Sequence, residues 1–221
     1  MTTAREDIIG SIRRNLAASR PFDAVRADHS HSHAVENKAA AVPAVVDAAT
    51  LLDNFGANAE LLGIHLEIAS DVLEAAAMIE SVIDRNGAKN IAISDSRLVA
   101  EAVQVIEQVE FTSGPTRDFL FDSDLGITSA QWAIAETGTL VLEAEKEDHR
   151  LISLVPPVHI CLLEASRIRQ TLGEVLELAG SNLGHTITFV TGASRTSDIE
   201  LTLAIGVHGP GELHVIILAD R

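Results

Sequence analysis

Cysteine occurs once in the 221 residues, at Cys161. No intrachain disulfide can form, which excludes a disulfide-stapled scaffold. It also excludes an iron–sulfur cluster held by four thiolates of this chain alone. Tyr is absent, Trp occurs once and aromatics make up 3% of the chain. The core must then be built from Ala, Val, Ile and Leu, a composition suited to strands covered by helices. No stretch approaches ~18 consecutive apolar residues, and the N-terminus carries no apolar run of signal-peptide length. Membrane insertion is therefore not expected, and the expected address is cytoplasmic. Neither a Gly-x-Gly-x-x-Gly fingerprint nor a Walker A loop is present.

Positive charge is scarce as well. The formal net charge is −16, and residues 1–40 hold six basic and five acidic side chains, leaving ten basic against 27 acidic in the rest. Such a surface repels phosphate backbones, so nucleic acid is not expected as a partner. Solubility alone also accounts for the acidity.

Two regions differ in pattern. Thr3 to about Ser19 reads as an amphipathic helix with Ile8, Ile9, Ile12 and Leu16 at helical spacing. A polar run from Arg20 to Ala41, with His29, His31 and His33, reads as linker; no carboxylate or Cys anchors these histidines in an ordered element, and no metal site is expected. Residues 1–42 thus form an arm and 43–221 the body. In the body, helical and strand patterns alternate: a helix from Val45 to about Leu62, a strand at Ile64–Ala69, and a helix capped by Ser70 and stopped at Gly87. A strand at Asn90–Ser94 and a helix from Asp95 or Ser96 to about Val109 follow. Further strands are read at Trp132–Ala135, Thr139–Glu143, Val158–Leu163, Thr186–Thr191, Ile205–Val207 and His214–Leu218, with helices at about Ile168–Ala179 and Ser197–Ala204. The pattern implies an α/β fold with a mostly parallel sheet covered on both faces, and hairpin additions at Glu136–Gly138 and Gly209–Gly211.

In such sheets ligands bind beyond the carboxyl ends of the strands. Four loops carry the informative residues. Glu136-Thr137-Gly138-Thr139 is either an anion cradle with a carboxylate base or nucleophile, or a hairpin turn with a solvated Glu. His159, after Pro156-Pro157, is either a proton handler or a hydrogen-bonded structural imidazole. Thr191 to Asp198 includes Gly192, Ser194, Arg195 and Thr196. It combines small and hydroxylated residues with one guanidinium before a helix start, a recipe for holding carboxylate or phosphate; ordinary helix capping reads equally well. His208 and Gly209 stand in a glycine-rich turn that either faces the same cleft or is incidental. Cys161, inside an apolar strand, reads as a small buried hydrophobe.

The run Ala133–Leu142 followed by Arg150–Ile160, the segment Thr191–Glu200 and the ending Gly206–Pro210 resemble the lactate utilization protein C family, also called the LUD domain. Asp124–Thr128 fits too. The resemblance covers about Pro43 to the C-terminus. It implies a three-layer α/β/α fold like that of sugar-phosphate isomerases and CoA transferases. It also implies work in an L-lactate-oxidising system whose partner proteins carry the iron–sulfur clusters, so that this chain alone binds no cofactor. The expectation is a subunit holding a small anionic ligand through Thr137, Gly138, Thr139, Gly192, Ser194, Arg195, Thr196, His208 and Gly209, with Glu136 or His159 moving protons. Alternatives are a non-catalytic assembly module docking through Ile8, Ile12 and Leu16, and an independent transferase or ligase acting on an activated carboxylate.

Overall fold

The structure, a computed structural model, describes residues 9, 46–143, 150–180, 186–197, 203–205 and 209–221. The chain divides into two units, Met1–Val45 and Val46–Arg221. Of the first unit only Ile9 is described, helical and exposed; the expected arm helix, its linker and the histidine run otherwise lie outside the described residues.

The second unit is built on six parallel strands: β1 (His65–Ala69), β2 (Ile91–Ile93), β3 (Phe111–Ser113), β4 (Leu125–Ser129), β7 (Val158–Glu164) and β12 (Glu212–Leu218). They lie in the order β1-β12-β7-β4-β2-β3. The central strands are apolar on both faces, as burial on both sides demands. From β7, Ile160 and Leu162 enter one core while Cys161 and Leu163 enter the other. Each such fully buried Ile or Leu side chain contributes about 1.5–3 kcal/mol.

One face is covered by α2 (Val72–Asn86) and α3 (Arg97–Val103), through Ala75, Ile79, Val82, Val99 and Ala102. The other is covered by α1 (Ala48–Leu61) together with a second, four-stranded mixed sheet. That sheet comprises β5 (Trp132–Ile134), β6 (Thr139–Glu143), β8 (Ile168–Arg169) and β9 (Ile187–Val190), in the order β8-β5-β6-β9. α5 (Leu172–Ala179) packs its Val175 against Ile134 and Val141 of this sheet. The α/β class with a mostly parallel central sheet is thus observed, and the layer opposite α2 and α3 is part helix, part sheet. A short α4 (Arg117–Phe121) precedes β4.

Several local expectations are corrected. The cap of α2 is Asp71, which accepts from the Glu74 N–H at 2.9 Å; Ser70 instead donates its N–H and Oγ–H to the Glu74 carboxylate, both at 2.7 Å. Asp71 thus satisfies an orphan donor of the first turn, while the Glu74 carboxylate holds the residue before the cap. Gly87 ends that helix at φ 61°, as its position requires. Ile168–Arg169 is strand, not helix, because Ala133 and Ile134 pair with it. Likewise Arg195–Ser197 (β10) pairs antiparallel with Leu203–Ile205 (β11), where a helix over Ser197–Ala204 was expected. α3 ends at Val103, short of Val109. The Gly209–Gly211 turn leads into β12, whose partners β1 and β7 are both parallel, so among the described residues it closes no hairpin.

Candidate functional site

The loops singled out in the sequence converge, but at the other end of the main sheet. His159 is the second residue of β7 and Leu213 the second of β12, so both sit at amino ends. Thr191 to Ser194 follows β9 of the smaller sheet and meets them there. The result is a cleft of about 190 Å³, lined by Ser153, His159, Thr191, Gly192, Ser194 and Gly209 with Leu154, Phe189, Val190, Pro210 and Leu213.

Backbone contacts lock its walls. The Ser194 N–H donates to Pro210 O at 2.7 Å, and the Gly211 N–H donates to Pro157 O at 2.9 Å. The floor depends on Gly126. The 3-10 turn Arg150–Ser153 lies so close to β4 that a Cβ on Gly126 would strike the Ile152 carbonyl oxygen, and Gly126 is the register neighbour of His159. The segment Asp124–Thr128 therefore matters as a seat for the loop ahead of the prolines.

His159 is fully buried. Its Nε2 and Thr128 Oγ1 are 2.9 Å apart, while Nδ1 has no hydrogen-bond partner among the described residues. Burial away from water disfavours the imidazolium and pushes its pKa down to about 3. The ring is neutral at ordinary pH, with one nitrogen engaged and one left over.

The turn after β5 is held from below. Gly138 adopts φ 64° and approaches the α1 backbone so closely that a Cβ would lie 3.0 Å from Ala59 N, and Asn58 Nδ2 donates to Ala135 O at 2.7 Å. Thr137, Thr139 and Thr191 form a hydroxyl chain with successive Oγ1 separations of 2.8 Å, which ties this turn to the cleft wall.

Two expected site residues are engaged elsewhere. Glu136 is exposed and accepts from the Leu172 N–H at 3.3 Å, at the start of α5. There a carboxylate is favoured by the helix dipole. Arg195 donates from Nη2 to Leu62 O at 2.6 Å, capping the carboxyl end of α1. The helix start expected to add its N–H groups after Thr196 is absent among the described residues, since Thr196 lies in β10. The Thr196 side chain and His208 lie outside the described residues. The structure thus gathers His159, Gly192, Ser194 and Gly209, links Thr137 and Thr139 to them, and turns Glu136 and Arg195 to helix ends. Lone Cys161 is buried in the core.

The carboxyl end of the main sheet carries a different cleft, of about 360 Å³, which sequence reasoning missed. Ser96, Arg97, Ser129, Trp132, Glu143, Glu164 and Arg167 line it with their neighbours. Its residues come from five separate segments with no shared motif. The one available signal was the general position of α/β ligand sites.

Residues 24–218 match the LUD domain family. The chain belongs to that family. Relatives of this LUD protein include an uncharacterized protein of Neisseria meningitidis serogroup B, 40% identical over 108 residues (47% of this chain and 46% of that protein). A protein named lactate utilization protein C from Deinococcus radiodurans is 39% identical over 99 residues, 43% of this chain and 47% of its own length. Another of that name, from Halalkalibacterium halodurans, is 30% identical over 175 residues, 72% of this chain and 75% of its own. The first two matches span about half the length of those relatives. A crystal structure of a DUF162 family protein from Deinococcus radiodurans has the same fold, with a TM-score of 0.64 at 24% identity over 79% of this chain and 99% of that one. Among the described residues, no helix is long and apolar enough to cross a membrane.

Proposed function

We propose that this LUD protein serves lactate utilization as the cluster-free subunit of an L-lactate-oxidising system, working beside iron–sulfur partner proteins. The observation that carries the reading is the family match over 24–218 together with relatives named lactate utilization protein C, one of them 30% identical over 175 residues. The single, buried Cys161 is consistent with clusters being held by other chains.

Its ligand is a small anion such as a hydroxycarboxylate, held in the cleft of His159, Ser194 and Gly209. With the Thr128 hydroxyl donating to Nε2, the ring proton sits on Nδ1, and this N–H and the Ser194 hydroxyl serve as neutral donors in place of a counter-charge. An imidazole kept neutral down to about pH 3 is a weak base, which suits it to orienting a ligand more than to abstracting a proton.

The test is lactate-dependent dye reduction by this chain alone, by its cluster-bearing partners alone, and by the reconstituted mixture. Activity in the mixture only is the expected result. Full activity in the partners without this chain would overturn the reading.

A further inference from the structure

We infer that His65, His214 and Glu212 form a binding site for a divalent transition-metal cation, with zinc the chemistry that fits best. The inference stands apart from the lactate reading and concerns a different region of the molecule. A ring nitrogen of each histidine and a carboxylate oxygen of Glu212 lie within 4.8 Å of one another.

The sheet brings them together. His65 and His214 are register partners on the parallel pair β1 and β12, so their side chains leave the same face, and Glu212 shares that face two residues before His214. The two rings stack with centroids 4.7 Å apart. His214 is buried and its Nε2 lies 2.6 Å from Glu212 Oε1, whereas His65 is exposed. Two imidazoles and one carboxylate are a ligand set that zinc accepts with one position left for water. The soft thiolate ligands that copper(I) prefers are missing from the set.

The surroundings favour a cation. Glu60, Glu67 and Arg85 line a hollow beside His65; with Glu212, three carboxylates face one guanidinium. A metal ion entering the cluster takes the place of the proton between His214 Nε2 and Glu212 Oε1, and the ring's single proton moves to Nδ1. The partly exposed carboxylate then swings outward, opening the 2.6 Å gap to roughly 3.3 Å, the separation of two ligands around tetrahedral zinc. Nδ1 has no partner among the described residues, so no second-shell acceptor tightens the site. Affinity is therefore expected on the order of micromolar, weaker than that of closed structural zinc sites.

Cobalt(II), which shows visible bands in a tetrahedral site, is the probe. It is titrated into the chelator-treated full chain in which His29, His31 and His33 have been changed to Gln, which removes the other histidine cluster. One equivalent should bind with tetrahedral bands, and zinc should displace it. His65→Gln and Glu212→Gln should each weaken binding by about tenfold or more, at least the loss typical of an outer-shell change, with unchanged circular dichroism. His65 is exposed, so its replacement leaves the core intact. Binding lost with the three upstream histidines, or unaffected by both site substitutions, would overturn the inference; so would absence of binding.

Discussion

At the carboxyl end of the parallel sheet, Arg167 Nε pairs with Glu164 at 3.1 Å, and the Arg167 and Arg169 guanidinium groups lie 5.1 and 4.9 Å from the Trp132 ring centre. Arg97 is 3.5 Å from Glu101, and Ser96 and Ser129 share a hydroxyl contact at 2.7 Å. At the amino end the cleft is smaller and lined by no Asp, Glu, Lys or Arg, yet the fully buried His159 keeps a ring nitrogen without a partner among the described residues. Charge count and size alone would favour the first cleft, as would the position rule for α/β folds. The ion pair within it, Arg167–Glu164, and the pair of Arg97 with Glu101 outside it are solvent-exposed contacts worth little in water. A buried polar atom with unmet hydrogen-bonding capacity is costlier to maintain, and such groups in a folded protein call for an explanation. That contrast is why the neutral cleft carries the proposed ligand site.

The contrast can be broken most strongly through its floor. Gly126→Ala should cost about 3 kcal/mol, since its Cβ meets backbone that has little room to move; urea denaturation measures this, and a cost near zero would mean that the 3-10 turn is not seated as described.

Acidification comes next. An unfolded chain protonates His159 below pH 6.5, whereas the folded one resists until about pH 3. Stability from this group is thus fully present above pH 6.5 and lost as pH falls toward 3. Between pH 7 and 5 the loss should be about 2 kcal/mol. The carboxylates with lowered pKa values, Glu101 and Asp124 among them, lose their contribution only at lower pH, so this window reports histidine. His159→Gln should remove most of the slope. A remainder is expected from His214, whose pKa burial also lowers. An unchanged slope in the variant would mean that His159 is not the group buried in neutral form.

Thr128→Val removes the hydroxyl partner of His159 Nε2 and should cost about 1.5 kcal/mol, the price of one buried polar atom left alone. In the carboxyl-end cleft, Arg167→Ala should cost less than about 0.5 kcal/mol, because its ion pair is solvent-exposed. Equal losses from these two changes would erase the distinction between the clefts. For ligand binding the order should also hold: Ser194→Ala should lower lactate-dependent turnover of the reconstituted system by roughly tenfold, one neutral hydrogen bond, and Arg167→Ala should leave it unaltered.

The alternation of helix and strand was legible because burial writes itself into the order of residues. The two-sided apolar runs of β7 and β12, short and rich in Val, Ile and Leu, fit interior parallel strands, and the amphipathic stripe of α2 ends where Gly87 stops it. The short β4 was readable only as a motif, since five residues buried on both faces, among them Gly126, Thr128 and Ser129, show neither alternation nor strong β-propensity. Helices expected to include Ile168–Arg169 and Ser197 failed for a related reason: local propensity there yields to strand pairing, of Ile168–Arg169 with Ala133–Ile134 and of Arg195–Ser197 with Leu203–Ile205.

The site shows the same division. The residue types at His159, Gly192, Ser194 and Gly209 could be singled out from their loops, because small, hydroxylated and imidazole residues between apolar strands are chemically conspicuous. Whether Glu136 and Arg195 faced a ligand or capped a helix depended on where α5 and α1 ended in space. The same holds for His65 and His214, 149 positions apart in the numbering and unremarkable singly, which become neighbours only when β12 inserts beside β1. Sequence determined which segments must be buried, since hydrophobic burial depends on composition and period. Tertiary structure decided which end of the sheet each loop reached and which polar groups went unmatched, because those follow from strand order and register, properties of pairs of distant segments that no single segment contains.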